Sequence, residues 1–340
     1  MAKRINKTIL FENKPTVISY ASVVGKKERQ GPLATGFDYA YNDDTFGQKS
    51  FEDAESQIQR LSILAAMKKR GIKPQQIDCV FAGDLLNQCI GSSFGLKDLD
   101  IPFVGMYGAC STMALSLINA SVHIESGAAN TAIAVTSSHF CSAERQYRFP
   151  LEYGSQRPPT SQWTVTGGGA VILHNKNDGT MPYINAATVG TIQDLGIKDA
   201  NNMGAAMAPA AYDTICNFLN DTDTAPEDYD MIFTGDLGLV GARLFCELFK
   251  RDAVDISRYH KDCGLMIFDL EKQDVHSGGS GCGCSASVLC SHILSRLYSG
   301  EYKNILFCAT GALLSPTSTM QGDNIPVIAH AVNIKSSQSQ

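Results

Sequence analysis

The chain has 340 residues, is 44% hydrophobic and 18% charged, and carries a formal net charge of −6 at pH 7. That acidic balance excludes nucleic acid as the main partner, because phosphate recognition needs a dense basic face, and Lys3, Arg4 and Lys7 make only a weakly basic start. No apolar run reaches the roughly 18 residues that would span a bilayer, and no apolar stretch behind the basic start reads as a signal peptide. Eleven cysteines, an odd number, read as free thiols in a reducing compartment. Cys282-Gly-Cys284 has the wrong spacing for a redox pair or a zinc knuckle, so no protein-built metal site is expected.

In chain order, the first strong pattern is Glu52 to Arg70. Ile58, Leu61, Leu64, Ala65 and Met67 fall at helical spacing, the stretch ends in Lys-Lys-Arg, and Gly71 stops it. Cys79-Val-Phe-Ala reads as a central strand ending in Gly83-Asp84-Leu85. The run Ile101 to Tyr107 reads as a further buried strand or its approach. Gly108-Ala-Cys110-Ser111 then opens a helix that runs to about Gly127. Cys110 is thereby expected at a strand-to-helix elbow, where free backbone N–H groups and the helix dipole favour a thiolate. Thr131-Ala-Ile-Ala-Val is the next strand, with His139 close behind it. Arg145, Arg148 and Arg157, interleaved with Tyr147 and Phe149, could clamp a flat dicarboxylate, or form an interface loop held by Glu144 and Glu152. Gly168 to Leu173 closes the first half. Residues 175 to 180 form the turn between halves, giving units 1–175 and 176–340.

The second half repeats the first. Pro74 to Leu85 resembles Pro226 to Leu237 at a constant offset of 152, and each copy ends in Gly-Asp-Leu. Ala109-Cys110-Ser111 echoes Gly283-Cys284-Ser285 at an offset of 174. Met231-Ile-Phe, Ile305 to Ala309 and Val327 to Val332 take the places of strands, and Cys284 to Leu297 those of a buried helix. The fold class is therefore α/β, built by internal duplication. Asp236 is the partner of Asp84 and is assigned to the second half's own structure. Cys284, at the repeated elbow, and His330, in the last strand, are assigned to packing.

A duplicated α/β unit with Gly-Ala-Cys-Ser at an elbow resembles the thiolase fold of thiolases and ketoacyl synthases. That resemblance implies a five-layered αβαβα sandwich and a homodimer. The chain is more similar still to the stage V sporulation protein AD family. The matching segments include Ala82-Gly-Asp-Leu-Leu-Asn87, Phe103 to Thr112, Thr136-Ser-Ser-His139, Ala143-Glu-Arg-Gln146, Trp163 to Gly167, Asp262 to Ile267 and Ala309 to Pro316.

This family resemblance implies a non-catalytic protein that binds dipicolinic acid (pyridine-2,6-dicarboxylate). It implies uptake of that acid into the developing spore with SpoVA membrane partners, a place at the inner spore membrane through those partners, and a link to germination. Cys110, Asp84, His139, Arg145 and Arg148 are the expected ligand contacts, with Ca²⁺ arriving, where present, with the ligand and no other cofactor. The competing reading is an acyltransferase or condensing enzyme with Cys110 as the acyl-carrying nucleophile. Such enzymes need histidine or a His/Asn set beside the cysteine. The stretch Ser277 to Cys284 contains no histidine, and His276 just upstream has the wrong spacing.

Overall fold

The computed structural model describes residues 2–147, 157–176 and 179–337. Arg148, Phe149 and Glu152 lie outside the described residues. The helix expected before Gly71 runs from Phe51 to Arg70. The Ser50 side chain caps it by accepting from the Asp53 amide, and Gly71 ends it in the left-handed conformation at φ 64°. Ile58, Ile63, Ala66 and Met67 form its buried face.

Each half contributes five strands in the same spatial order. In the first half the order is Thr16–Val24, Gly167–His174, Thr131–Ser138, Cys79–Gly83 and Phe103–Gly105. In the second it is Tyr183–Thr188, Val327–Lys335, Asn304–Ala312, Met231–Thr234 and His260–Asp262. Both run antiparallel, antiparallel, parallel, parallel. Along that path the two half-sheets meet at one antiparallel pair, Tyr183 with Thr16, and the short strand Thr8–Leu10 of the first half adds three more pairs to Tyr183–Thr188.

Two helices fill the space between the sheets. One is Thr112–Glu125; the other begins at Cys282, widens into a π turn over Leu289–Ile293 and ends at Ser299. Met113, Leu117 and Ile124 of the first pack with Val288, Leu289 and Ile293 of the second, and with Phe81, Phe233 and Phe307 from the strands, in one fully buried cluster. A helix apolar on all sides is a buried helix, which is why both elbows lead inward. The helix Phe51–Arg70 covers the outside of the first sheet. Met203–Thr222 and Gly238–Arg251 cover the outside of the second. The result is the five-layered sandwich that the thiolase-fold resemblance implies.

One element departs from expectation. Of the run Ile101 to Tyr107 only Phe103–Gly105 is a strand, and it is exposed rather than buried, with Phe103 at 41% and Val104 at 40%. It is the last strand of its half-sheet, so it has one neighbour, Cys79–Gly83, and a free edge.

Candidate functional site

Cys110 lies in the short 3₁₀ turn Ala109–Ser111 that feeds the helix Thr112–Glu125. Ala109 has φ 50°, a left-handed conformation that costs a non-glycine residue energy and is found where a site demands it. The turn is fastened by its own polar groups. The Ser111 amide and hydroxyl both donate to Gly108 O, at 3.0 and 2.6 Å, and the Gly108 amide donates to Thr112 Oγ1 at 3.0 Å. The second half presses directly on it. A Cβ at Gly311 would sit 2.3 Å from Gly108 O, so only glycine lets the strand Asn304–Ala312 approach this closely.

The groups around the sulfur come from the second half. Cys110 Sγ is 3.9 Å from Ser280 Oγ. Ser280 Oγ and the Gly281 amide donate to Asp236 Oδ2 at 3.0 and 2.9 Å, and Thr310 Oγ1 donates to Asp236 Oδ1 at 2.8 Å. Asp236 is fully buried. Burial, then the charge of Asp236, push the Cys110 thiol well above its ordinary value, outweighing the Ser280 and Gly281 donors. Desolvation and a buried carboxylate thus oppose the thiolate expected from the elbow position and favour the thiol, which can donate a hydrogen bond.

Above the sulfur is a cavity of about 40 Å³, room for a few waters and for an aromatic ligand only once the lining side chains move apart. Leu85, Tyr107, Glu144, Tyr147 and Thr164 from the first half face Met203, Ser280 and Leu314 from the second across it. The Tyr147 hydroxyl donates to Leu85 O and lies 3.4 Å from the Tyr107 hydroxyl. Glu144 is buried and accepts from Thr164 Oγ1 at 2.8 Å. A two-residue parallel ladder, Gly279 with Trp163 and Ser280 with Thr164, holds the two hydroxyls side by side. Trp163 stacks on Phe140, with centroids 3.8 Å apart, while Lys27 Nζ lies 3.8 Å from its ring.

The stage V sporulation protein AD family model matches residues 5–335. A curated protein of Bacillus subtilis (strain 168), named stage V sporulation protein AD, is 44% identical over 325 residues, covering 96% of this chain and 95% of that protein. The chain belongs to the SpoVAD family. It is therefore a sporulation protein, and its fold relatives are thiolase-like enzymes. The 3-oxoacyl-[acyl-carrier-protein] synthase III of Aquifex aeolicus VF5 superposes with a TM-score of 0.56 at 11% identity, covering 94% of this chain and 99% of its own. Xanthomonas campestris OleA gives 0.60 at 14%, covering 96% and 97%. At such identities the likeness establishes the fold alone.

Of the ligand contacts expected from the sequence, Cys110 faces this cavity, while Asp84, His139 and Arg145 do not. Asp84 is fully buried and spent on its own loop, accepting from the Leu86 amide at 2.8 Å, the Ser92 amide at 2.7 Å and the Ser92 hydroxyl at 2.6 Å. His139 is turned the other way: Nε2 meets Asp44 O at 2.7 Å, Nδ1 accepts from the Cys141 amide, and the ring packs on Phe51. Burial lowers its pKa, so it sits neutral. Arg145 is exposed and pairs with Glu52. Arg157 pairs with Asp274 at 2.6 Å and lies over Trp163, away from the lining. Arg148 lies outside the described residues.

None of the seven histidines, all of them described, lines the cavity or bonds to Cys110. His276 is held by Pro158 O and Asp274, and buried His330 accepts from the Gly190 amide. Sequence reasoning missed Ser280 and Tyr107, assigned Asp236 to the second half's own structure and Glu144 to an interface loop, and offered Tyr147 only as part of an arginine clamp. The duplication contained the signal for Asp236, because it places the end of Met231–Thr234 opposite the first elbow.

Proposed function

We propose that the chain is a non-catalytic ligand-binding protein that holds dipicolinic acid in the cavity above Cys110 and supports its uptake into the developing spore together with SpoVA membrane partners. The observation that carries this reading is the company Cys110 keeps: its near neighbours are Asp236 and Ser280, and no histidine is placed to take its proton. A condensing enzyme needs a thiolate and a base; a binding site needs a donor and an apolar, shaped wall, both of which are present. Tyr107 and Tyr147 offer flat faces and hydroxyls to an aromatic ring.

The described lining carries Glu144 and no cation, so the ligand's two negative charges must be offset when it enters, by protonation or by Ca²⁺ carried with it. The described residues include no group of three or more His, Cys, Asp and Glu side chains placed to bind a metal. No described helix is long and apolar enough to cross a membrane. The free edge at Phe103–Gly105, with Phe94 52% exposed beside it, supports a homodimer, since an unpaired apolar edge invites a second copy.

Calorimetric titration with dipicolinate, with and without calcium, tests the binding. Heat is expected with the wild type and a loss of at least tenfold in affinity with Cys110→Leu, which fills the cavity floor. No binding under either condition, or unchanged binding by the variant, overturns the reading. An acyl adduct on Cys110 after incubation with acyl-CoA thioesters, with turnover, would establish the enzyme instead.

A further inference from the structure

A second sulfur in the chain, far in sequence from Cys110, has what the first lacks. Cys246 lies on the outer helix Gly238–Arg251, and its Sγ is 3.7 Å from His260 Nδ1. His260 Nε2 is 2.8 Å from Thr234 Oγ1, and Thr234 Oγ1 donates to Asp262 Oδ2 at 2.7 Å. Asp262 also accepts from the Leu237, Gly238 and Leu265 amides, at 2.8, 3.0 and 3.2 Å. Four donors on one buried carboxylate hold it as an acceptor, and its pKa of about 6 leaves it ionised above neutrality.

These contacts fix the direction of every proton in the chain. The single Thr234 hydroxyl proton goes to Asp262, so Thr234 can only accept from His260, and the ring must carry its proton on Nε2. Nδ1 is then left as a lone pair, and the group facing that lone pair is the Cys246 thiol. Burial lowers His260 to about 4, so the ring is neutral with Nδ1 open to the thiol proton but is a weak base, and burial with the charges of Asp255 and Glu247 raises the Cys246 thiol.

Five cysteines are partly exposed: Cys79, Cys89, Cys141, Cys216 and Cys246. Among the described contacts only the Cys246 thiol meets a histidine. Cys89 Sγ donates to the Met106 carbonyl, which cannot take a proton. A cysteine beside a base that is oriented by a third group is the arrangement of an activated nucleophile. Here it sits at the surface and outside the Cys110 cavity.

We propose that Cys246 is a modification site: a nucleophilic thiol that exchanges with small disulfides, with His260 as its base and Thr234 and Asp262 as positioning residues. As Cys246 Sγ attacks one sulfur of the disulfide, its proton passes to His260 Nδ1. The S–S bond of the reagent breaks, a Cys246 mixed disulfide forms, and the departing thiolate takes the proton back from Nδ1. Protein thiol and reagent disulfide become protein mixed disulfide and free thiol, with no other reactant.

The test uses the full chain and hydroxyethyl disulfide near pH 8, with the modified peptides followed in time by mass spectrometry. Cys246 is expected to react first and at least about tenfold faster than Cys79, Cys89, Cys141 and Cys216, below the roughly hundredfold lower end of general-base assistance because the ring is a weak base. His260→Gln is expected to erase that lead, and Thr234→Val to reduce it several-fold while the other four cysteines keep their rates. A second measurement needs no variant: nitrogen NMR of the wild-type ring should show the proton on Nε2. Reaction of any other partly exposed cysteine at the same rate or faster, an unchanged Cys246 rate in His260→Gln, or a proton on Nδ1 overturns the proposal.

Discussion

The two Gly-Asp-Leu copies began as the same residues at the same strand end, and the fold now uses them differently. Asp84 turns back on its own half and ties down the loop from Leu86 to Ser92. Asp236 is taken up by the Cys110 region, holding Ser280, Gly281 and Thr310 and raising the thiol. The difference teaches that the site is not a property of either repeat. It arises where the end of one repeat's strand meets the other repeat's elbow, so identical local sequence can tie down a loop in one half and set the chemistry in the other.

The largest test removes each carboxylate in turn. Asp236→Ala and Asp84→Ala each orphan three buried donors, at about 1–3 kcal/mol apiece, so each is expected to lose about 6 kcal/mol in urea unfolding. The milder asparagine variants separate the roles: Asp236→Asn should speed iodoacetamide labelling of Cys110 several-fold, whereas Asp84→Asn should leave it unchanged. Equal labelling in both would end the distinction.

Next in size is a buried acid that has few donors. Glu28 takes one amide bond, from Thr166, and burial pushes its carboxyl from the usual 4.5 up to about 8. Between those values the folded chain keeps a proton that the unfolded chain has released. Its contribution is complete below about pH 4.5 and is lost as pH rises toward 8, by about 5 kcal/mol at roughly 1.4 kcal/mol per unit. Urea midpoints measured across that window should fall, and Glu28→Gln should flatten the slope.

The glycines of the two copies extend the comparison. A Cβ at Gly83 would lie 2.2 Å from Met106 O, while at Gly235 the nearest atoms are 3.1 Å away. Gly83→Ala is expected to cost about 3 kcal/mol and Gly235→Ala about 1, read as shifts in melting temperature. The smallest effect belongs to Arg145→Ala. Its exposed pair with Glu52 is worth less than about 1 kcal/mol, and dipicolinate titration should be unaffected.

Much of the fold could be read from the chain because duplication writes the same pattern twice. The strands Cys79–Gly83 and Met231–Thr234 end at the two Gly-Asp-Leu copies, and both elbows lead into buried helices. Less of the site could be read. His139 is claimed by a carbonyl 95 residues away and Arg145 by a carboxylate 93 residues away, and no local pattern announces such partners. The expectation of a thiolate at Cys110 is opposed for a related reason. A helix end is visible in sequence, but the burial and distant carboxylate that overrule it are not. The exposed strand Phe103–Gly105 looked buried because apolar composition does not distinguish a central strand from an edge one.

The only tryptophan of the chain is Trp163, beside the cavity hydroxyl of Thr164 and sandwiched by Phe140 and Lys27. Every photon of indole emission therefore comes from one place, next to the site. A spectrum of the unlabelled protein becomes a local optical gauge: filling the cavity, or loosening the ladder that joins Trp163 to Gly279, should register in its colour and intensity without a dye.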